Sequence, residues 1–363
     1  MNILFIDPVS LVNPYDTSAL SLRPLGGSEA TVIRVANGLS KYNKVFVAQR
    51  LRKNDLRESE SLSFISFKTL KKRLINENIN QVILLREFKE IRHFRFLFPN
   101  AKFYLWLHDM IGKKVTAKDK IKYQKWVIDN NCTLITVSNT HKKIFHDFFA
   151  SPKIKITYIY NPIDENLIAD STPVDNNKLV FFSSPHKGLN QILYFFKEAK
   201  KYLPELKLFI ANPGYFKLTK STKLGFFLSK KIFNFSWDGD PCVEKKLIDQ
   251  EGIEILGALK SSDVINHVRS ALCVFYPQNI FPETFGLVFA EANAVGTPVL
   301  AHDFGSAKEI LSSEEQLINS TQKMTVINKL KKWHIGERPH VFAKEDFRLS
   351  KVITVWQNLF TEK

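Results

Sequence analysis

Two carboxylates eight residues apart carry the first chemical signal: Glu283 and Glu291, in the string Pro282-Glu283-Thr284-Phe285-Gly286-Leu287-Val288-Phe289-Ala290-Glu291-Ala292. Inside one helix, eight steps would turn them about 80° apart and ~12 Å along the axis, so they would not share a face. A helix starting near Gly286 changes the geometry. Glu283 then lies in the preceding loop and Glu291 on the second turn. The N–H groups of Phe285, Gly286 and Leu287 point at whatever anion sits between them. A diphosphate between two hydroxyl-binding carboxylates suits that arrangement; taken singly, Glu291 reads better as an ordinary solvated helix residue. A second signal is Gly26-Gly27-Ser28-Glu29, after a long loop that follows the first strand. Its glycines would let backbone donors approach an anion, or the segment is a flexible loop in which Ser28 caps a helix. The dinucleotide fingerprint Gly-x-Gly-x-x-Gly is absent there, which points away from an NAD enzyme.

Three further candidates read as incidental. Asp238-Gly239-Asp240 is followed by Pro241 and reads as a turn opening a helix rather than a metal pair. His141 and His146 have no third ligand placed near them and read as a solvated helix face. His186 reads equally as a loop histidine and as a ligand contact.

Short apolar runs must position these groups. Candidate strands are Asn2–Asp7, Lys44–Ala48, Gln81–Leu85, Phe103–Leu107 and Thr133–Ser138. A second series follows at Leu179–Ser183, Leu206–Ala211, Ile253–Gly257, Cys273–Tyr276 and Pro298–Ala301. Most are continuous apolar runs, as in parallel strands covered on both faces. Amphipathic stretches such as Glu29–Leu39, Asn190–Tyr202 and Asp263–Ala271 alternate with them, the pattern of βαβ units. The class is α/β, with two doubly wound parallel-sheet domains meeting near residue 165, where Pro162 and Pro173 interrupt the pattern. Phe216–Trp237, with six aromatic residues among five lysines, reads as an insertion in a βα connection.

Composition narrows the class. The 363 residues are 44% hydrophobic and 24% charged, which excludes global disorder. Cys132, Cys242 and Cys273 are scattered and odd in number, so a disulfide framework or zinc site is not expected and a reducing compartment is. Met1 to Pro8 has no basic start and reads as a buried strand, not a signal peptide. The apolar run Phe103–Leu107 is far short of the ~20 residues of a membrane span. The expectation is a soluble, cytoplasmic protein, at most peripheral on a membrane.

The string at 281–310 closely resembles the Glu-x7-Glu segment of glycosyltransferase family 4, enzymes of the GT-B fold. Other landmarks follow in that family's order. Gly26-Gly27-Ser28-Glu29 looks like its glycine loop, and Trp106-Leu107-His108-Asp109 like the strand end bearing its substrate-facing histidine. Ser138-Asn139 and Tyr160-Asn161-Pro162-Ile163-Asp164 look like the approach to its linker. Ser184-Pro185-His186-Lys187-Gly188-Leu189 resembles its Lys-Gly motif, and Gly305-Ser306-Ala307-Lys308-Glu309-Ile310 its Gly-Gly-x-x-Glu-Ile end. The resemblance implies two Rossmann-like domains facing across a cleft: an acceptor-side domain over 1–165, a nucleotide-sugar domain over 175–343, and a C-terminal helix in 344–363 crossing back to the first domain.

It further implies retaining transfer of a hexose-type sugar from a nucleotide diphosphate donor, UDP ahead of GDP, to a glycan or glycolipid in cell-surface polysaccharide synthesis such as lipopolysaccharide. Glu283 would bind hydroxyls of the donor sugar and Glu291 the ribose. Lys187 would neutralise the leaving diphosphate, assisted by backbone donors at Gly26, Gly27, Phe285, Gly286 and Leu287, and His108 would contact the sugar near the reacting carbon. No metal or other cofactor is called for. Two departures stand out. Phe182 and Ser183 occupy the neighbourhood where the family places an Arg before its Lys, and Ser306 replaces a glycine.

Charge adds information about partners. Lys and Arg outnumber Asp and Glu by 52 to 36, a net +16, and residues 1–163 hold 27 against 13, a net +14. The densest basic stretch is Lys113, Lys114, Lys118, Lys120, Lys122 and Lys125, beside Ile121 and Trp126. The excess therefore falls in the acceptor-side half and points to an anionic glycolipid acceptor or an anionic membrane surface, with a merely soluble basic face as the equal alternative. Two rival functions are a catalytically silent nucleotide-sugar binder, because of the missing Arg, and, ranked lower, a nucleic-acid binder; no nucleic-acid-binding signature supports the second.

Overall fold

The computed structural model describes residues 1–9, 13–74, 77–112, 114–212 and 245–362. Phe216–Trp237, Asp238-Gly239-Asp240, Cys242 and Lys113 lie outside the described residues.

Most of the continuous apolar runs become parallel strands buried on both faces. The strands of the first unit are β1 (Asn2–Asp7), β2 (Lys44–Gln49), β3 (Leu56–Arg57), β4 (Leu62–Ser66), β5 (Gln81–Leu85), β6 (Lys102–Trp106), β7 (Cys132–Thr136) and β8 (Ile156–Tyr158). The sheet order is β3-β4-β2-β1-β5-β6-β7-β8, and only the β3–β4 pair is antiparallel. The central strand β1 pairs with β2 through Ile3–Val45 and with β5 through Ile6–Leu84. Successive strands run outward from β1 in one direction and from β5 in the other, so the topology switches between β1 and β5.

The second unit contains β9 (Asp175–Phe182), β10 (Lys207–Asn212), β11 (Ile253–Ala258), β12 (Ala271–Tyr276), β13 (Val299–His302) and β14 (Leu317–Ile318). All pair in parallel, in the order β11-β10-β9-β12-β13-β14, and the switch falls between β9 and β12. By internal contacts the first unit is Met1–Leu20, Gly27–Pro162 and Asp346–Lys363, and the second is Ser21–Gly26 and Ile163–Glu345.

The helices that matter for the site are α1 (Gly27–Ser40), α2 (Ala117–Asp129), α3 (Asn139–Phe149), α4 (Leu189–Lys200), α5 (Ser261–Arg269), α6 (Leu287–Ala294), α7 (Lys323–His334) and α8 (Leu349–Thr361). In α2 the capping box Thr116–Asp119 satisfies orphan N–H groups at the start. The C-terminal α8 packs on α1, with Val352, Ile353, Trp356 and Phe360 buried at helical spacing. Trp356 meets Phe5 and Trp106, and Trp106 in turn lies 4.5 Å from the His108 ring. The terminal helix thus buttresses the strand end that bears this histidine.

Four strands had no clear apolar run in the sequence: β3, β4, β8 and β14. Three of them are two or three residues long. The fourth, β4, is Leu-Ser-Phe-Ile-Ser; its five side chains are all buried, yet two are serines that dilute the pattern. Helix α1 opens at Gly27, one residue before Ser28, so the serine lies in the first turn and is not the cap.

Candidate functional site

In the second unit, the loops that leave the carboxyl ends of β9 and β12 meet at the switch point, where open α/β sheets hold their ligands. From β9 the chain turns through Ser183–Gly188 into α4, with the Lys187 N–H donating to Ser184 O at 2.9 Å. From β12 it runs through a loop folded by Gln278, whose Oε1 accepts from the N–H groups of Ile280 and Phe281 at 2.9 and 2.8 Å. A reciprocal Gln191–Asn279 pair ties that loop to α4.

These constraints bring Lys187 and Glu283 together, although 96 residues separate them. Lys187 Nζ donates to both carboxylate oxygens of Glu283, at 2.9 and 2.8 Å. Tyr276 Oη, at the end of β12, donates to Glu283 Oε1 at 2.6 Å. Burial, then the Glu283 charge, push the Tyr276 hydroxyl well above the usual phenol range, so it stays a donor. The ammonium also lies 5.2 Å from the Phe281 ring. Glu283 is nearly buried while Lys187 stays a quarter exposed, so the pair can be reached from the lysine side.

Helix α6 begins where the sequence spacing placed it. Gly286 is its N-cap with φ of 81°, a conformation that L side chains pay to adopt, and a Cβ there would also meet the Phe289 ring at 2.5 Å. A Cβ on Gly305 would come within 2.9 Å of the Glu283 backbone. Ser306, the departure from a double glycine, is used: its N–H donates to Glu283 O at 3.0 Å and its hydroxyl to Phe285 O at 2.8 Å. Glu283 is therefore held from both sides, in the loop before α6. Glu291 sits on the second turn and is buried, which corrects the reading of a solvated helix residue.

Residues 164–345, half of the chain and essentially all of this unit, match the family of glycosyl transferases group 1. The chain belongs to that family. No curated protein matches it in sequence. Among solved structures it is similar to HepE of Anabaena, determined in complex with UDP and glucose, at 15% identity over 99% of each chain with a TM-score of 0.68. A glycosyltransferase from Rickettsia africae aligns at 16% identity over 99% of this chain and 97% of that one, with a TM-score of 0.63. The trehalose-6-phosphate synthase OtsA aligns at 10% identity over 99% and 98%, with a TM-score of 0.65. At these identities the likeness establishes the fold, which is GT-B.

The other residues singled out in this group 1 glycosyltransferase fall as follows. Phe285 is buried, and Leu287 is the first residue of α6. Gly26 groups with the second unit, whereas Gly27 opens α1 in the first. His108 is buried just beyond β6. Burial, the Arg86 guanidinium and His141 together hold its imidazole well below the ordinary range, so it is neutral near pH 7. His186 is buried beside Lys187 and is pushed down to about 2 by burial and the lysine charge. His141 is also buried, its Nε2 3.1 Å from Asp109 O, which corrects the solvated reading; His146 is exposed, as that reading had it.

Sequence reasoning passed over a second charged pair. Asp7 ends β1 and Arg86 follows β5, so their 3.4 Å contact spans the switch point of the first unit. Tyr15 Oη donates to the other Asp7 oxygen at 2.8 Å. Arg86 has a φ of 63°, in the left-handed region. The available signal was a charged residue closing each of two otherwise apolar strands. Among the described residues, no group of three or more His, Cys, Asp or Glu side chains is placed to hold a metal ion. No helix among them is long and apolar enough to cross a membrane.

Proposed function

We propose that this protein transfers a hexose-type sugar from a UDP-linked donor to a glycan or glycolipid acceptor, with retention of anomeric configuration. The observation that carries the reading is the Lys187–Glu283 pair at the β9/β12 switch point of the unit that matches the family. With donor bound, the Lys187 ammonium turns from Glu283 to the diphosphate and offsets charge as the leaving group departs, helped by the N–H groups that open α6. Glu283, released from the lysine and still oriented by Tyr276 and Ser306, accepts from hydroxyls of the donor sugar. Glu291 accepts from the ribose, and neutral His108 contacts the sugar near the reacting carbon. Gly26 and Gly27 add backbone donors. No metal is assigned a role, since Lys187 and the helix end carry the counter-charge; transfer should persist in excess EDTA.

UDP is favoured as the nucleotide because HepE, the similar structure, was determined with UDP and with UDP-glucose. The acceptor is assigned to cell-surface polysaccharide synthesis, and the basic stretch on α2, where Lys118, Lys122, Lys125 and Ile121 are exposed, to an anionic membrane face on the cytoplasmic side. Salt-sensitive pelleting with anionic vesicles, absent with neutral ones, checks that assignment.

The central test is a thermal-shift screen with UDP, GDP and ADP, followed by turnover of UDP-glucose. A shift with UDP and a turnover lost in Lys187→Ala support the reading. Turnover indifferent to both Lys187→Ala and Glu291→Ala overturns the residue assignments, and UDP binding with no turnover across a donor panel favours the silent binder.

A further inference from the structure

Helices α4 and α7 pack on each other in the second unit, and their outer face carries one sign of charge. Residues 189–202 and 323–334 together hold seven lysines against one glutamate, a net +6. Residues 164–345 as a whole hold 22 Lys and Arg against 21 Asp and Glu, so the rest of that stretch nets −5. A face kept only for solubility intersperses both signs. Segregation of this kind makes a directed field that draws an anionic partner.

The lysines are also held in place. Glu198 is nearly buried and bridges the helices, its two oxygens accepting from Lys201 Nζ and Lys323 Nζ at 2.7 Å each. The hydrogen bonds from Lys201, then from Lys323, hold that carboxyl down to about 2, so it stays ionised. Lys331 Nζ lies 5.5 Å over the Tyr202 ring. Tyr194 and Tyr202, both half-exposed, act electrostatically on Lys323. Three tethered ammoniums and two phenol hydroxyls are thus gathered on one face, with less side-chain freedom to lose when a partner arrives.

These features select the partner. A second copy is disfavoured, because two chains of net +16 repel. A fluid bilayer gains little from ammoniums at fixed positions, since its headgroups move to meet any charge, whereas a covalent strand with fixed spacing gains from them. Nucleic acid bases need open ring faces, and Lys331 covers one face of Tyr202. A peptide brings backbone N–H donors, but both oxygens of Glu198 are already taken. A strand of acidic sugars offers carboxylates to the lysines and ring hydroxyls that turn to accept from the tyrosines.

We propose that the α4/α7 face holds an acidic glycan strand, outside the donor site. The inference rests on the transferase reading and names a second place at which the enzyme grips the chain it extends.

Methionine ε-13C labelling gives a local readout. The chain has only Met1, Met110 and Met324; Met324 is half-exposed next to Lys323, and the other two belong to the first unit. The probe is a short oligogalacturonate, with neutral maltohexaose, oligoglutamate and oligothymidylate of similar length as comparators. Oligogalacturonate should move the Met324 methyl signal saturably, at lower concentration than any comparator, and the response should weaken as salt is added. Lys197 is exposed on α4, one turn from both Tyr194 and Lys201. Reversing it together with Lys331 (Lys197→Glu, Lys331→Glu) should weaken the response about tenfold, with UDP affinity within about twofold of the parent. Lys122→Glu with Lys125→Glu on α2 should leave the Met324 response within about twofold. The proposal is overturned if oligogalacturonate leaves Met324 unmoved, if any comparator moves it at the same or lower concentration, or if the α4/α7 reversal binds as the parent does. UDP binding and turnover without a Met324 response would sink this face alone. A Met324 response without turnover of any UDP-sugar would sink the transferase reading and leave the face.

Discussion

Each unit of this group 1 glycosyltransferase places a cation and a carboxylate at the switch point of its sheet, but the two pairs are built differently. In the first unit Asp7 and Arg86 stand directly at strand ends, both nearly buried, with Tyr15 closing the second carboxylate oxygen. In the second, Lys187 and Glu283 stand on loops five and seven residues beyond β9 and β12, and the lysine is partly in water. Strand-end charges have little freedom to exchange partners, so the first pair joins β1 to β5 and is chiefly architectural. Loop-borne charges with one accessible member can trade each other for a ligand. The contrast explains how a single fold carries a rigid ion pair and an exchangeable one at equivalent places.

Arg86→Met should break the comparison hardest. It strands a buried Asp7, and removing one member of such a pair costs about 3–5 kcal/mol of unfolding free energy, read from the urea midpoint. If stability falls by less than ~1 kcal/mol, the pair is not architectural. Lys187→Ala should do the converse, lowering transfer from UDP-glucose by about 10²–10³-fold, the scale of one lost transition-state donor. Its urea midpoint should move less than that of Arg86→Met, because water already reaches the lysine.

Acid should affect both units alike. His108 in the first and His186 in the second are neutral when folded, with His186 held down to about 2 against an ordinary 6.5. The unfolded chain binds the extra protons, so stability is full above about pH 6.5 and is lost as pH falls below it. At pH 5 the loss from His186 should be about 2 kcal/mol, with His108 acting in the same direction, and His186→Gln should remove the His186 part of the slope. A stability flat between pH 7.5 and 5 would contradict the burial of both rings. The smallest effect is expected at the start of α6. Gly286→Ala costs about 1–2 kcal/mol for the left-handed residue, plus the push on Phe289, and should weaken UDP binding alongside the thermal midpoint.

Much of this architecture was legible in the chain. Ten apolar runs coincide with ten of the fourteen strands to within a few residues, because a parallel strand covered on both faces needs an unbroken apolar run. The start of α6 was legible from Gly286, and that start decides which loop carries Glu283. Burial was less legible. His141 sits among polar neighbours on α3 and Glu291 in the apolar stretch of α6, yet no local pattern tells a polar side chain whether a second layer covers it. Arg86 was missed for the same reason: nothing within its segment announces Asp7, 79 residues away.

Local composition and periodicity determined the α/β class, the two series of strands, the +14 concentration of charge in the first 163 residues and the motif string at 281–310. Those depend on short-range rules of backbone geometry and burial, which a linear sequence displays. Tertiary structure alone decided that Lys187 closes on Glu283, that Tyr276 holds that carboxylate while Ser306 holds its backbone, and that Arg86 meets Asp7 across the first switch point. Each depends on which strand ends are neighbours across a switch point, and strand order is set by long-range pairing that no local segment encodes.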